Sequence, residues 1–307
     1  MKHAFLIEAH NNWEQLKILI GMLDSSQHDI YVHIDLRSKN VPLTELERCS
    51  KYSKIVIHQK YKVFWGGYSQ VQVELFLLEM AAKEKYDYYH IISGSDLPIK
   101  TNTYIDKFFE INNGYEFVSF CQINPEIKRR TALYHFLQNY RRRYHNNILN
   151  NFFVFLERIL LMLQTILKID RMRKYPNLDI KYGSNWVSIT NAAAQYILNK
   201  RKLVENIFKY TNCADELFIH TLLWNSEFKG YLFEREGLES NLRLTDWVRG
   251  EHGSPYTFKK DDFDMIISSN CLFARKFNIS EDKEIIDMVC KKYTMGESDD
   301  FRNSGNP

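Results

Sequence analysis

A few short clusters in this 307-residue chain combine residue types that can do chemistry. Asp215-Glu216 opens a stretch with helical apolar spacing (Ile219, Leu222, Leu223), so both carboxylates are expected at a helix start. Free amide donors and the helix dipole there keep an acid ionised, which suits a base that takes a proton from an attacking hydroxyl. Two acids that only stabilise the helix start would read the same way. Arg275-Lys276, flanked by Phe273-Ala274 and Phe277, offers two cations able to neutralise a departing diphosphate; the alternative is an exposed pair beside a strand. Asp35 ends the apolar run 31–34 and precedes Arg37. An acid there can accept from a nucleobase imide or a ribose hydroxyl, or can cap the next helix. Trp65-Gly66-Gly67 precedes a helical pattern, where paired glycines either admit a ligand close to the backbone or form a tight turn. Asp262-Phe263-Asp264 has the spacing of a metal-binding acid pair, but it lies in a charged helical stretch rather than at a strand end. No metal site is expected from it.

These clusters need a scaffold. Apolar runs at 4–9, 29–34, 54–58 and 86–93 read as strands, and helical spacing at 13–23 and 70–83 alternates with them. That alternation implies an α/β fold with a doubly wound, mainly parallel sheet. Such sheets bind ligands at the carboxyl ends of their strands, where Asp35 and the 93–96 turn are expected. The pattern resumes at 183 with a strand over 186–190 and helices over 192–203 and 215–224. Between them, 127–144 carries Lys128, Arg129, Arg130, Arg141, Arg142 and Arg143, followed by a strongly apolar 148–169. Glu157-Arg158 interrupts that stretch, whereas a membrane span needs about 20 nearly uncharged residues. A helix packed on the domain and a basic-amphipathic element over 141–169 lying on a membrane surface both fit. Neither an internal repeat nor a long linker occurs, which gives one domain over 1–295 with a helical insert at about 125–175 and a polar tail at 296–307.

Composition narrows the class. Hydrophobic residues at 45% and charged residues at 26% describe an ordinary globular protein with ample core material. A net charge of +3 is too small for nucleic-acid binding, which scales with many phosphate contacts. The five cysteines (Cys49, Cys121, Cys213, Cys271, Cys290) are scattered and form no CxxC pair, so reduced thiols are expected. The N-terminal residues run straight into a strand, which points away from an export signal and toward a cytoplasmic protein, with or without peripheral contact on the inner membrane face.

Taken in order, the clusters form a series: Tyr31-Val32-His33-Ile34-Asp35-Leu36-Arg37-Ser38, Trp65-Gly66-Gly67, Ser93-Gly94-Ser95-Asp96-Leu97-Pro98, Gly183-Ser184-Asn185-Trp186, Glu216 with His220-Thr221, Asn241 through Asp246-Trp247, and Leu272-Phe273-Ala274-Arg275-Lys276-Phe277. The series resembles the core-2/I-branching family, which holds branching N-acetylglucosaminyltransferases and peptide O-xylosyltransferases. That resemblance implies a GT-A-like fold, a UDP-sugar donor, inversion at the anomeric carbon to a β-linkage, and catalysis without a metal or other cofactor. It implies Glu216 as base, Arg275 and Lys276 at the diphosphate, and Asp35 at the nucleoside, with Arg37, Trp65 and Gly66 beside the donor. Asp96, Asn185, Trp186, Asp246 and Trp247 are the expected substrate contacts. Asn185 stands where the xylosyltransferases carry Asp, and no cysteine-rich region accompanies it. The expected sugar is therefore N-acetylglucosamine or xylose, and the expected acceptor a glycan or lipid-linked glycan of bacterial-type surface polysaccharide assembly. The different-class alternative is a catalytically silent glycan-binding module on the same fold.

Overall fold

The computed structural model describes residues 1–140, 147–251 and 253–294. Ten strands are present in these residues: β1 (His3–Ala9), β2 (His28–Ile34), β3 (Ile55–His58), β4 (Tyr88–Ser93), β5 (Asp96–Pro98), β6 (Phe120–Cys121), β7 (Tyr182–Gly183), β8 (Ser188–Thr190), β9 (Arg243–Thr245) and β10 (Phe273–Arg275). The helices are α1 (Trp13–Leu23), α2 (Leu43–Glu47), α3 (Ser69–Ala81), α4 (Asn102–Ile111), α5 (Pro125–Ala132), α6 (Asn147–Ile166), α7 (Asn191–Asn199), α8 (Arg201–Phe208), α9 (Phe218–Trp224), α10 (Phe263–Ser268) and α11 (Lys283–Thr294).

The main sheet runs β3-β2-β1-β4-β8. Its first three pairings are parallel and β8 alone is antiparallel, against β4. Strand β1 shows why the sheet is covered on both faces. Phe5, Ile7 and Ala9 point into one core with Leu16, Leu19, Ile20 and Leu23 of α1 and Ile105 and Phe109 of α4. Ala4 and Leu6 point into a second core with Val71, Leu75 and Leu78 of α3 and Ile219 and Leu222 of α9. Alternate side chains of one apolar strand therefore feed two layers of helices, the mark of a buried, mainly parallel sheet. This is the doubly wound α/β architecture that the sequence pattern calls for. Beside it a small sheet, β5-β10-β9, sets Arg275 opposite Asp96 and Thr245.

Three local expectations need correction. The helix expected over 192–203 is two helices, α7 and α8, broken at Lys200. The helix expected from Asp215 begins at Phe218; Asp215 and Glu216 sit in a preceding 3-10 turn, Ala214–Glu216. Left-handed Cys213 (φ 50°) and non-helical Leu217 (φ −125°) bracket that turn and detach it from α9. The insert does form helices, α5 and α6, but α6 is turned in an unexpected way. Residues 148–166 have the length and apolarity of a membrane span. Glu157 and Gln164 nevertheless face the domain: Glu157 meets His135 Nδ1 at 3.1 Å, and Gln164 bonds both the N–H and the carbonyl of Tyr134. Meanwhile Ile148, Phe152, Phe155, Ile166 and Leu167 are exposed. The run Arg141-Arg142-Arg143 and the tail 296–307 lie outside the described residues.

Candidate active site

The carboxyl ends of β1, β2 and β4 present Glu8, Asp35 and Ser93 along one edge of the sheet. Asp35, buried at the end of β2, accepts from the Arg37 N–H at 2.8 Å and from Arg37 Nη2 at 2.6 Å. Burial alone would raise the Asp35 pKa, but these Arg37 bonds more than offset it and hold the acid below its ordinary value. Arg37 also donates to the Val63 carbonyl and lies 4.8 Å over the Phe64 ring, tying Asp35 to the segment that leads into Trp65-Gly66-Gly67. Gly66 adopts φ +68°, a left-handed conformation that glycine takes freely. Its carbonyl accepts from the Cys213 N–H at 2.9 Å. Gln70 bridges the same two turns, accepting from the Gly66 N–H and donating to Asp215 Oδ2 at 2.9 Å. The Trp-Gly-Gly turn is thus the backing of the turn that carries Glu216, and half-exposed Trp65 flanks it.

Glu216 is paired. Arg130 Nη1, from α5 of the insert, donates to Glu216 Oε2 at 2.8 Å. The low carboxylate pKa expected from a helix start is corrected here, because the turn is largely withdrawn from water. Burial pushes Glu216 up while the Arg130 guanidinium opposes it, and the net direction is upward. Burial, followed by the neighbouring Glu216 charge, pushes Asp215 up to about 7. Two further acids join them. Burial and the Asp215 charge push Glu8 up to about 8, and Glu74, fully buried on α3, is raised by burial and by Glu8. Asn185, partly exposed, hydrogen-bonds Glu74.

The other wall is built on β10. Arg275 Nη1 lies 3.2 Å from Asp96 Oδ1, and its guanidinium sits 4.2 Å over the Trp186 ring. Asp96 also accepts from the Ser93 N–H at 2.7 Å and from Ser93 Oγ at 3.2 Å. Asp96 was expected to touch substrate; it is fully enclosed and holds Arg275 instead. The two adjacent cations expected at one diphosphate point in different directions. Arg275 turns inward onto Asp96, while Lys276 Nζ donates to Ser254 Oγ at 2.9 Å on the loop that carries Asp246 and Trp247. That loop is clipped beside Lys276 through Tyr256 N–H to the Asp246 carbonyl. Asp246 accepts from the Arg249 N–H and Nε, while Trp247 is exposed. The formal acid pair does not converge: Asp262 is buried, held by Arg249 and the Lys259 N–H, and Asp264 is exposed.

The structure therefore draws Asp35, Arg37, Trp65, Gly66 and Glu216 into one arc of contacts, and Asp96, Trp186 and Arg275 into another. The charge of Glu8, felt by both Asp215 and Arg275, lies between the arcs. Sequence reasoning missed Arg130, Gln70, Glu8 and Glu74. Glu8 alone left a signal, as an acid near the end of an apolar strand. A groove lined by Asp87, Glu116, Thr190 and Asn191 is at the opposite end of β4 and contains none of these residues.

The family model of the Core-2/I-Branching enzyme matches residues 3–267. The chain belongs to this family. Among its relatives, the xylosyltransferase sqv-6 of Caenorhabditis elegans is 27% identical over 319 residues, covering 94% of this chain and 36% of that protein. Xylosyltransferase 2 of Homo sapiens is 25% identical over 312 residues, covering 93% of this chain and 33% of its own length. The chain thus spans about a third of the length of the curated relatives it matches. The crystal structure of mouse xyloside xylosyltransferase 1, apo form, aligns with a TM-score of 0.41 and 11% identity over 89% of this chain and 96% of that one. Six of the seven ordered motifs, from the one at Asp35 to the one at Asp246, fall inside the matched region, and the seventh, with Arg275 and Lys276, lies just beyond it.

Proposed function

We propose that this member of the family is an inverting glycosyltransferase. It would move N-acetylglucosamine or xylose from a UDP-sugar to a hydroxyl of a glycan, including the lipid-linked glycans of bacterial-type polysaccharide assembly. The observation that carries the reading is the Arg130–Glu216 pair at 2.8 Å on a turn buttressed by Trp65-Gly66-Gly67. A partly buried carboxylate with a raised pKa, paired with a guanidinium that favours its ionised form at the ligand-binding edge of the sheet, is a competent general base. Glu216 takes the acceptor proton as that oxygen attacks the anomeric carbon from the face opposite UDP. Asp35 holds the nucleoside end of the donor, and Lys276 faces the negative charge that grows on the departing diphosphate. Arg275, braced by Asp96 and Trp186, adds a fixed positive field behind it. Asp262 and Asp264 supply no convergent cation site, so these side-chain cations are the charge-neutralising groups of the proposal.

The test is UDP release from a panel of UDP-sugars, with Glu216→Gln alongside. Wild-type turnover that survives chelator and falls at least a hundredfold in Glu216→Gln is the expected result. Absence of UDP release from every donor would favour the silent glycan-binding alternative. Loss of activity in chelator, restored by manganese, would overturn metal independence.

The outward apolar face of α6 favours one addition, peripheral contact with a membrane. What supports it is that Ile148, Phe152, Phe155 and Ile166 are exposed while Glu157 and Gln164 are turned inward. Wild-type protein that stays in the supernatant with anionic liposomes at low salt would remove this reading.

A further inference from the structure

At the amino ends of the strands, far from the edge that carries Glu216, three side chains from three elements converge. His3 begins β1 and His28 begins β2, and the two are direct partners in the parallel register. Their side chains therefore leave the sheet on the same face. Asp106, on α4, lies over them. Thr101 caps that helix by accepting from the Tyr104 N–H, which fixes its first turn, and Asp106 projects from the turn that follows. His28 Nε2 lies 2.7 Å and His3 Nε2 3.5 Å from the same oxygen, Asp106 Oδ1. The three ligand atoms all lie within 4.8 Å of one another. Both histidines are fully buried among Phe5, Tyr88 and Phe109, and only Asp106 reaches solvent.

Proton accounting shows what the cluster lacks. His28 Nδ1 faces the Leu23 carbonyl at 2.9 Å and its Nε2 faces a carboxylate oxygen, and both are acceptors. A cation must therefore stand between His28 Nε2 and Asp106, either a proton or a metal. A proton there serves His28 and leaves His3 Nε2, buried and aimed at the same oxygen, with no hydrogen-bond partner. A tetrahedral metal serves all three. Its ligand atoms would stand about 3.4 Å apart at bond lengths near 2.1 Å, close to the 3.5 Å His3–Asp106 separation already present, and the 2.7 Å His28–Asp106 pair would open to admit the ion. The second nitrogen of each imidazole is held from behind, His28 by Leu23 and His3 by His90 Nε2 at 3.0 Å. Ligating histidines are oriented in this way.

We propose that His3, His28 and Asp106 form a structural site for a divalent transition metal of the Zn2+ class, with one water as fourth ligand on the exposed side of Asp106. Two imidazole nitrogens and one carboxylate oxygen suit that ion better than Ca2+ or Mg2+, which take oxygen ligands. The site would staple β1 and β2 to α4, and it is separate from the transfer chemistry.

The test takes the full-length protein, stripped in metal-free buffer and titrated with Zn2+ alone. One equivalent should remain per chain after gel filtration, with a raised Tm. Asp106→Asn, at a partly exposed position, should keep the far-UV circular dichroism of the wild type and weaken Zn2+ binding at least tenfold. Co2+ in place of Zn2+ should give the intense visible bands of a tetrahedral site. No retained Zn2+, unweakened binding in Asp106→Asn, or a weak octahedral Co2+ spectrum in the wild type would each overturn the proposal.

Discussion

Arg130→Met separates the charge that Arg130 gives Glu216 from the space it fills. Burial drives the Glu216 pKa up, and the guanidinium 2.8 Å away is the main force pulling it down. A guanidinium beside a carboxylate lowers its pKa by roughly 1–3 units. The two side chains are 20% and 30% exposed, so solvent screening favours the lower part of that range. Methionine keeps a long apolar stem against Tyr182 but loses the charge, so the acid limb of kcat/KM should move up by about one unit or more. Since the base acts ionised, activity below both limbs should fall about tenfold for each unit, equivalent to about 1.4 kcal/mol. Above both limbs it should return to near the wild-type plateau. Asp215 titrates close by, so the limb reports the pair of acids rather than one residue. The assay is UDP release from pH 5 to 9. An unmoved acid limb, or a plateau still lost a hundredfold at high pH, would refute the idea that Arg130 acts by holding Glu216 ionised.

Glu8 has a folded pKa raised to about 8, so it binds a proton in the folded state that the unfolded chain has released. Stability from this group is complete below about pH 4 and is lost as pH rises toward 8. Glu8→Gln should therefore raise Tm relative to wild type at pH 8 and much less at pH 5, a differential of about 1–3 kcal/mol in thermal melts. Gly66→Ala places a Cβ 3.1 Å from Cys213 Sγ and 3.2 Å from Asn212 Oδ1 on a residue at φ +68°. It should cost about 1–2 kcal/mol by thermal melts and lower kcat further, through displacement of the Glu216 turn. Lys276→Ala should raise the Kd for UDP at least tenfold by calorimetry, the scale of one lost charge-assisted contact.

Much of the scaffold was legible because apolar strands and helices announce themselves by period. Runs at 4–9 and 29–34 and the face Val71, Leu75, Leu78 all sit as the spacing requires. Loci at strand ends followed from the same pattern, which is why Asp35 and the 93–96 turn fall on one edge. Side-chain direction was not legible. Arg275 and Lys276 are adjacent in sequence but part company at the end of β10, and a string of letters cannot say that Asp96 is the residue Arg275 turns toward. The break before α9 was equally hidden, since it depends on a left-handed Cys213 that pairs with Gly66 across the fold.

The insert gave the most misleading signal. Its basic residues counted only as a charged run, and its apolar stretch only as a helix that had to face something. In the structure the two halves do different things. Arg130 of α5 reaches Glu216 and opposes the burial that raises its pKa, beside Glu8, Glu74 and Asp215, all raised by burial and by neighbouring carboxylate charge. Of these, Glu216 is the acid with a guanidinium at hydrogen-bond distance. In the proposed mechanism, selection of the base among these clustered acids would thus fall to a residue from outside the α/β core. Because α5 and α6 both dock on the domain through polar contacts near 130–135, a force on the exposed apolar face of α6 would be felt close to Arg130. If α6 meets a membrane as proposed, that contact and the ionisation of the proposed base would be mechanically adjacent, although nothing in the linear order of the chain places them together.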